Sequence, residues 1–595
     1  MIRLPQNSSE ASPEGSGEGS ETRKSLRLRL ILSAVAGVMI PLGFDPWGLA
    51  FLMPFAFMIL ALATDRCGFR RSLLLGWVFG LGVQGASLPW IMLAAKNYLG
   101  IFVLNDPDSL IAWLAGIGLF LIWWPLSSLG WGLCLALVSL APEAPGARQR
   151  IWKCLGILVF VALYEQYWPR LFPWSVGSAL ATAEPSAGWI LLRQWGVEVT
   201  SLVIASSGYL AAHIFPLVFD FFDRRQKVVT LSRVWLLIPG LAVASLTLLP
   251  LPNRGSSSQL HEAGQEVVVS LVQPAIPLED RHGAKWRELN EALISKLHFV
   301  ERIANRGGDP ENPNVRYLTV FPEGMIPGVH DADSLRRWAQ MASVDQPLLS
   351  GVLVETAEGF ANAVALIEPV RSGAGVRNYS VQLGFKKDLV PFGERIPGES
   401  IFEALGWKPP ITGLVAGDRP IVFDLDSADH GFGVSICYEG LLPGTSRGLQ
   451  DSGAHWHVNV TEDLWYGDFL EPAQHLQLQR SRSIESSLPL LRCTNAGLTV
   501  AFDPQAFGQQ TFIAYRNFSD EPTWQTIESA GEIVLEEEIG DTGILQVRLR
   551  SHPQIRKGPL LEWPQDWAPI LGGVWILAGL LRIALQRQQG LPRVD

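Results

Sequence analysis

Residues Gly431 to Glu439 read GFGVSICYE. An apolar run ends on a thiol, Cys437, and an aromatic residue and a carboxylate follow at once. The run is too short for a helix and reads as a buried strand. A reactive side chain leaving such a strand stands in a loop at the sheet edge, where layered α/β domains carry their chemistry. Residues 267–272 (VVVSLV), 317–321 (YLTVF), 348–354 and 490–493 are strand-like in the same way, and residues 285–305 and 473–487 are helix-like. That alternation predicts an α/β layered domain.

Two further segments place a reactive side chain just beyond a predicted strand. Residues 317–327, YLTVFPEGMIP, present Glu323 directly after Pro322. Residues 385–397, FKKDLVPFGERIP, present Lys386, Lys387 and Glu394. A thiol needs a base to take its proton, and a tetrahedral oxyanion needs a cation or N–H donors. Cys437, Glu323 and a lysine together meet those needs.

Outward from this segment the composition changes. Of the 595 residues, 48% are apolar and only 17% charged, with a mean hydropathy of +0.20. This excludes a disordered chain and argues against a wholly soluble one. The net charge of −10 offers no footprint for nucleic acid. The 5 cysteines have neither disulfide-scaffold nor zinc spacing. Apolar runs near 29–44, 46–64, 72–94, 110–139, 152–168, 196–219, 233–250 and 568–586 are read as membrane spans, about eight helices in a seven-plus-one layout, with a kink at Pro125.

Alternating the loops puts 17 Lys and Arg residues on the side of the N-terminus and 3 on the other. Both termini are therefore expected in the cytoplasm and the soluble part outside it. The expected organisation is a disordered tail (1–22), a membrane domain (23–251), a catalytic domain (252–566), and a last helix with its tail (567–595).

These segments resemble the apolipoprotein N-acyltransferases of bacterial lipoprotein maturation, whose outer domain belongs to the nitrilase superfamily. The matching motifs are Pro322-Glu323, KKDLVPFGE (386–394), Cys437-Tyr438-Glu439, and NVTEDLWYGD (459–468) followed by RCTNAG (492–497). Phe172-Pro173-Trp174 and the helix layout extend the likeness over nearly the whole chain after the tail.

The resemblance implies an αββα catalytic sandwich on an inner-membrane helical domain. It implies Cys437 as nucleophile, Glu323 as general base, and Lys386 as oxyanion cation together with the Tyr438 backbone N–H. Glu394 and Glu439 are implied as supporting carboxylates, and Trp286 as a residue lining the substrate entrance. The acyl donor would be a membrane phospholipid and the acceptor a diacylglyceryl apolipoprotein, with no cofactor and no metal.

Phe321, Gly324 and Gly384 depart from the family pattern, which has Trp, Thr and an aromatic residue there. Cys67, Cys134, Cys154 and Cys493 are expected to be bystanders. His455 and His457 share a strand face but have no recognisable third ligand. Glu165 is read as an interfacial anchor in preference to a proton relay. Two other readings stay open: a membrane-anchored amidase of the same superfamily, and a transporter or scaffold with a degenerate outer domain.

Overall fold

The computed structural model describes residues 18–141, 147–183, 186–222, 266–281, 285–306, 315–372, 375–396, 398, 413–425, 431–504, 510–516, 523–529, 532–534, 542–550 and 571–578. Among the described residues seven helices come first: α1 (Glu18–Met39), α2 (Leu52–Ala63), α3 (Phe69–Ser87), α4 (Ile91–Tyr98), α5 (Leu110–Val138), α6 (Ala147–Tyr167) and α7 (Ala187–Phe222). Among the described residues two helical segments are long and apolar enough to cross a membrane, Ser25–Gly43 and Leu110–Val138, and the bent pair Phe69–Ser87 with Ile91–Val103 makes a third if counted as one span. The apolar side chains that face outward on α5, such as Leu110, Ile111, Leu121 and Ile122, suit a lipid environment.

Local chemistry explains where the helices differ from expectation. The span expected at 72–94 bends by 57°. Pro89 cannot continue a helix and excludes the α region for Leu88, whose φ of −120° lies outside it. The span expected at 46–64 is helical only from Leu52. The span beginning at 196 is part of a longer helical run that Gly196 interrupts, at φ +78°. Residues 110–138 form one helix running through Pro125. The expected tail 1–22 is helical from Glu18. Residues 1–17, the span 233–250 and most of the span 568–586 lie outside the described residues.

The second half is a sandwich of two sheets. Among the described residues one has nine strands, in the order β13 (Thr523–Ser529), β12 (Gln510–Arg516), β15 (Gly543–Arg550), β1 (Glu266–Gln273), β2 (Val315–Val320), β4 (Leu348–Thr356), β5 (Gly359–Ser372) and β6 (Gly375–Phe385), with β3 (Val329–His330) beside β4; the other has six, β14 (Glu532–Val534), β11 (Val500–Phe502), β10 (Leu490–Thr494), β9 (Trp456–Thr461), β8 (Gly431–Ile436) and β7 (Ile421–Asp424). The expected strands appear as β1 (Glu266–Gln273), β2 (Val315–Val320), β4 (Leu348–Thr356), β8 (Gly431–Ile436) and β10 (Leu490–Thr494). Between the sheets, Val269, Leu271, Val320 and Val364 of the larger meet Phe432, Val434, Val458 and Leu491 of the smaller. Cys493 is packing at this seam, its thiol 3.3 Å from the carbonyls of Val272 and Val320.

The outer face of the large sheet is covered by α8 (Trp286–Arg306) and α9 (Ala332–Met341), through Leu293, Leu297, Leu335 and Trp338. On the other side lie α10 (Pro443–Asp451) and α11 (Glu471–Ser486), which complete four layers. Helix α11 also packs on the membrane helices: Leu476, Leu478 and Ile484 share one apolar cluster with Phe44, Trp90 and Leu202. Arg480 pairs with Asp45 at 3.1 Å and Arg482 with Glu198 at 2.9 Å. Gln474 accepts from the Trp90 indole at 3.2 Å.

Candidate active site

Three strand ends converge. Glu323 follows β2 in a loop that the neighbouring strand holds closely: Phe321 N donates to Leu349 O at 2.8 Å and Gly351 N to Pro322 O at 3.1 Å. A Cβ on Gly351 would lie 2.5 Å from Glu323 Cα, so only glycine allows this approach. The departure at Gly324 has a backbone reason, a φ of +63° that a β-branched residue would adopt only with strain.

Lys386 is delivered by the hairpin of β5 (Gly359–Ser372) and β6 (Gly375–Phe385). Its backbone is fixed at both ends, N to Asn362 O at 2.9 Å and O from Gly417 N at 2.7 Å. The departure at Gly384 is a matter of packing, because a Cβ there would stand 2.3 Å from Ile421 of β7.

Cys437 leaves β8 with φ +53°, in the left-handed region that a non-glycine residue enters only when its surroundings hold it there. The turn over residues 437–441 follows at once, so the Tyr438 N–H belongs to an opening turn whose amides lack partners inside it.

Lys386 Nζ sits 2.9 Å from Glu394 Oε2 and 3.5 Å from Glu323 Oε1, with its side chain 1% exposed. Asn362 Nδ2 donates to both carboxylates, to Glu323 Oε1 at 2.7 Å and Glu394 Oε1 at 2.8 Å. Burial alone favours the neutral amine, but Glu394 and then Glu323 outweigh it, and Lys386 is held charged with its pKa raised. Burial likewise opposes ionisation of Glu394, yet Lys386 keeps it below the usual carboxylate range. For Cys437, burial pushes the thiol well above its ordinary value, Glu323 adds to this, and Lys386 opposes it.

Glu439 works differently. Its Oε1 accepts from Lys387 N at 2.6 Å and Asp388 N at 3.0 Å, and its Oε2 from Ile436 N at 2.9 Å. One carboxylate thus ties the end of β8 to the segment carrying Lys386. Replacing Glu439 with Gln turns one acceptor into a donor facing buried N–H groups. We expect a stability loss of about 2 kcal/mol, read as a lower thermal midpoint in detergent. An unchanged midpoint would reject this role.

The candidates Glu323, Lys386, Glu394, Cys437 and Glu439 are therefore brought together. Tyr438 is partly buried and packs against the membrane-side cluster. Trp286 opens α8, and its side chain lies outside the described residues. Cys134 and Cys154 are buried in α5 and α6, and Cys67 follows α2. Glu165, in α6, accepts from Val176 N at 2.9 Å. His457 is bonded to Ser435 Oγ at 2.7 Å, and burial pushes its pKa down to about 4.

Several residues at the site carried no clear signal. Asn362 lies on an unremarkable strand. Arg281 donates to Glu323 O at 3.3 Å and pairs with Glu462. Asn459 was legible only as part of a motif, and its Nδ2 donates to Cys437 O at 3.2 Å. Asp463, Glu471 and His475 bring one donor atom each to within 4.8 Å of one another. Arg492 already takes both Asp463 oxygens at 2.8 Å, so a metal cation there would compete with a guanidinium.

A four-layer sandwich that brings Cys437, Lys386 and paired carboxylates together, beside an apolar helical part, has the parts of an enzyme that works through a thiol. Residues 310–531 match the family model described as carbon-nitrogen hydrolase. Over a longer span the chain is similar to apolipoprotein N-acyltransferases. It is 27% identical over 484 residues to that of Pseudomonas paraeruginosa, covering 80% of this chain and 85% of the relative. It is 25% identical over 494 residues to that of Methylococcus capsulatus, covering 80% and 86%. For Pseudomonas putida it is 26% over 520 residues, covering 85% and 90%.

Among solved structures, Saccharomyces cerevisiae Nit3 of the nitrilase superfamily aligns over 49% of this chain and 92% of its own, at 15% identity and a TM-score of 0.29. The sequence relatives are named apolipoprotein N-acyltransferases, and the chain is similar to them over 80% of its length.

Proposed function

We propose that the chain is an N-acyltransferase that moves a fatty acyl group from a membrane phospholipid to the α-amino group of an N-terminal diacylglyceryl-cysteine of apolipoproteins. The observation that carries the reading is Lys386 held between Glu323 and Glu394, with the charges of Glu323 and Lys386 both acting on the Cys437 thiol. Relatives bearing that enzyme's name cover both the helical part and the sandwich, whereas an amidase needs at most one anchoring helix.

Glu323 takes the thiol proton as Cys437 Sγ attacks the ester carbonyl. The oxyanion rests on Lys386 and the Tyr438 N–H. The C–O bond breaks, the lysophospholipid leaves with the proton from Glu323, and a thioester remains. The acceptor amine then attacks the thioester carbonyl while Glu323 removes its proton. The C–S bond breaks, and the proton returns to the thiolate. Ping-pong kinetics follow.

Glu394 keeps Lys386 charged and in place, and Glu439 sets the strand ends. Trp286, at the start of α8, is assigned to the substrate entrance. Rings at the seam support lipid delivery: Trp465 stacks on Phe102 at 5.4 Å, Tyr466 meets Trp90 edge-on at 5.2 Å, and Phe392 faces Trp123 at 6.4 Å.

The same reading takes residues 23–251 as seven membrane helices, 252–566 as the catalytic domain on the periplasmic side, and 567–595 as the eighth helix and tail, with both termini cytoplasmic. The excess of cations in alternate loops supports this orientation.

The test is direct. Purified protein incubated with phospholipid gains an acyl mass on the peptide containing Cys437, and a diacylglyceryl-cysteine peptide then removes it as an amide. If no acyl-Cys437 forms, the proposal fails. If the acyl group leaves only as free fatty acid, the enzyme is a hydrolase.

A further inference from the structure

A buried chain of hydrogen bonds runs from α11 to the backbone of Cys437. Asn459 Nδ2 donates to Cys437 O at 3.2 Å and to Ser435 Oγ at 2.9 Å. Asn459 Oδ1 accepts from Gln479 Nε2 at 2.8 Å, and Gln479 Oε1 accepts from Arg492 Nε at 3.0 Å. Asn459, His475, Gln479 and Arg492 are each at most 1% exposed.

Donor chemistry leaves this chain a single proton arrangement. A guanidinium only donates, so the Gln479 oxygen faces Arg492, and its two amide hydrogens point at Asn459 and His475. Gln479 Nε2 lies 2.9 Å from His475 Nε2, so that ring nitrogen accepts and the ring proton sits on Nδ1. Nδ1 faces Glu471 Oε1 at 3.0 Å and Asp463 Oδ1 at 3.4 Å; burial opposes the charged ring, Glu471 outweighs it and raises the ring's pKa, and the Gln479 donor at Nε2 leaves no place there for a second ring proton. The edge of Phe172, from the membrane side, closes the pocket around the ring, with centroids 6.1 Å apart.

We propose that His475 and Gln479 are positioning residues for the nucleophile. Neutral His475, protonated on Nδ1, orients Gln479, Gln479 orients Asn459, and Asn459 holds the Cys437 carbonyl in the left-handed conformation that aims the thiol. The inference rests on Cys437 being the nucleophile of the proposed reaction. It assigns chemical work to a helix that otherwise only joins the sandwich to the membrane helices. It also explains why so polar a helix carries a histidine that accepts a hydrogen bond while standing among Glu471, Asp463 and Arg492.

A different role for His475 makes the opposite demand. If it served as an imidazolium paired with Glu471 and Asp463, a lysine would replace it better than a glutamine. A glutamine, like the neutral ring, offers one acceptor and donor hydrogens; a lysine only donates.

The experiment uses the full chain in nanodiscs of equimolar phosphatidylethanolamine and phosphatidylglycerol, and measures single-turnover formation of acyl-Cys437. Gln479→Glu keeps the acceptor for Arg492 and removes both donors. Acylation should slow about tenfold or more, with an unchanged phospholipid concentration for half-saturation. His475→Gln should retain more of the rate than His475→Lys.

Wild-type acylation rates in Gln479→Glu, or His475→Lys outperforming His475→Gln, would overturn the proposal. Alkylation of Cys437 by iodoacetamide is followed in the same proteins, and the same order is expected. That reading needs no lipid chemistry, so it tests the relay even if wild-type protein takes no acyl group from phospholipid, an outcome that counts against the proposed function alone.

Discussion

Cys437→Ala protein takes up no acyl group and transfers none, a loss on the order of 10³-fold or more, because the covalent route has no other nucleophile. Cys493 is the nearest alternative in kind, but it is sealed between the sheets with its thiol on two carbonyls. The substitution spares the fold. Alanine meets the same left-handed backbone cost at this position, where φ is +53°, and the lost sulfur leaves a small void worth about 1 kcal/mol. Mass spectrometry of the acyl-enzyme and a thermal melt separate the two effects.

The raised pKa of the thiol gives a second reading of the same residue. The folded pKa lies above the ordinary cysteine value, so the thiol is protonated at neutral pH and thiolate appears only as pH climbs. In wild-type protein the iodoacetamide rate on Cys437 should keep rising beyond pH 9, without a neutral plateau. A plateau near pH 7 would mean a preformed thiolate, and Glu323 would have no proton to take.

Lys386→Met removes the cation that stands between Glu323 and Glu394. Glu323 and Glu394 both remain bonded to Asn362 Nδ2, and two half-buried carboxylates then face each other with no cation between them. The oxyanion loses its cation, and the base loses the charge that holds it in place. We expect single-turnover acylation to fall by about 10²–10³-fold, and stability to fall by about 3–5 kcal/mol because a buried pair is broken. Lys386→Arg should not restore the rate, since a planar guanidinium does not fit the place of a compact ammonium. Acylation within tenfold of wild type in Lys386→Met would remove Lys386 from the chemistry.

Much of this was visible in the chain. Apolar runs of four to eight residues mark β1, β2, β4, β8 and β10, because strands buried on both faces show no polar alternation. Glu323 was legible because it follows such a run, and Cys437 and Lys386 because the motifs around them, CYE and KKDLVPFGE, match those of the family that the segments resemble. The β5–β6 hairpin was missed. Its residues mix polar and apolar side chains, as a strand near a sheet edge does, and Asn362 looks like any strand polar residue until two carboxylates arrive beside it.

Helix α11 marks the limit most clearly. EPAQHLQLQRSRSIES has the composition of a solvated surface helix, yet its residues are almost all buried, Arg480 and Arg482 among them. The sequence by itself determined an apolar helical part, a layered α/β part, and three strand ends carrying a thiol, a carboxylate and an amine, because hydrophobic periodicity and reactive side chains are local properties. The tertiary structure alone decided that Lys386 lies between Glu323 and Glu394, that one Glu439 carboxylate ties two strand ends, and that a polar helix is buried between sandwich and membrane helices. Such burial is tolerable only where each charge meets its partner, and those partners, Asp45 and Glu198, stand more than 280 residues away along the chain.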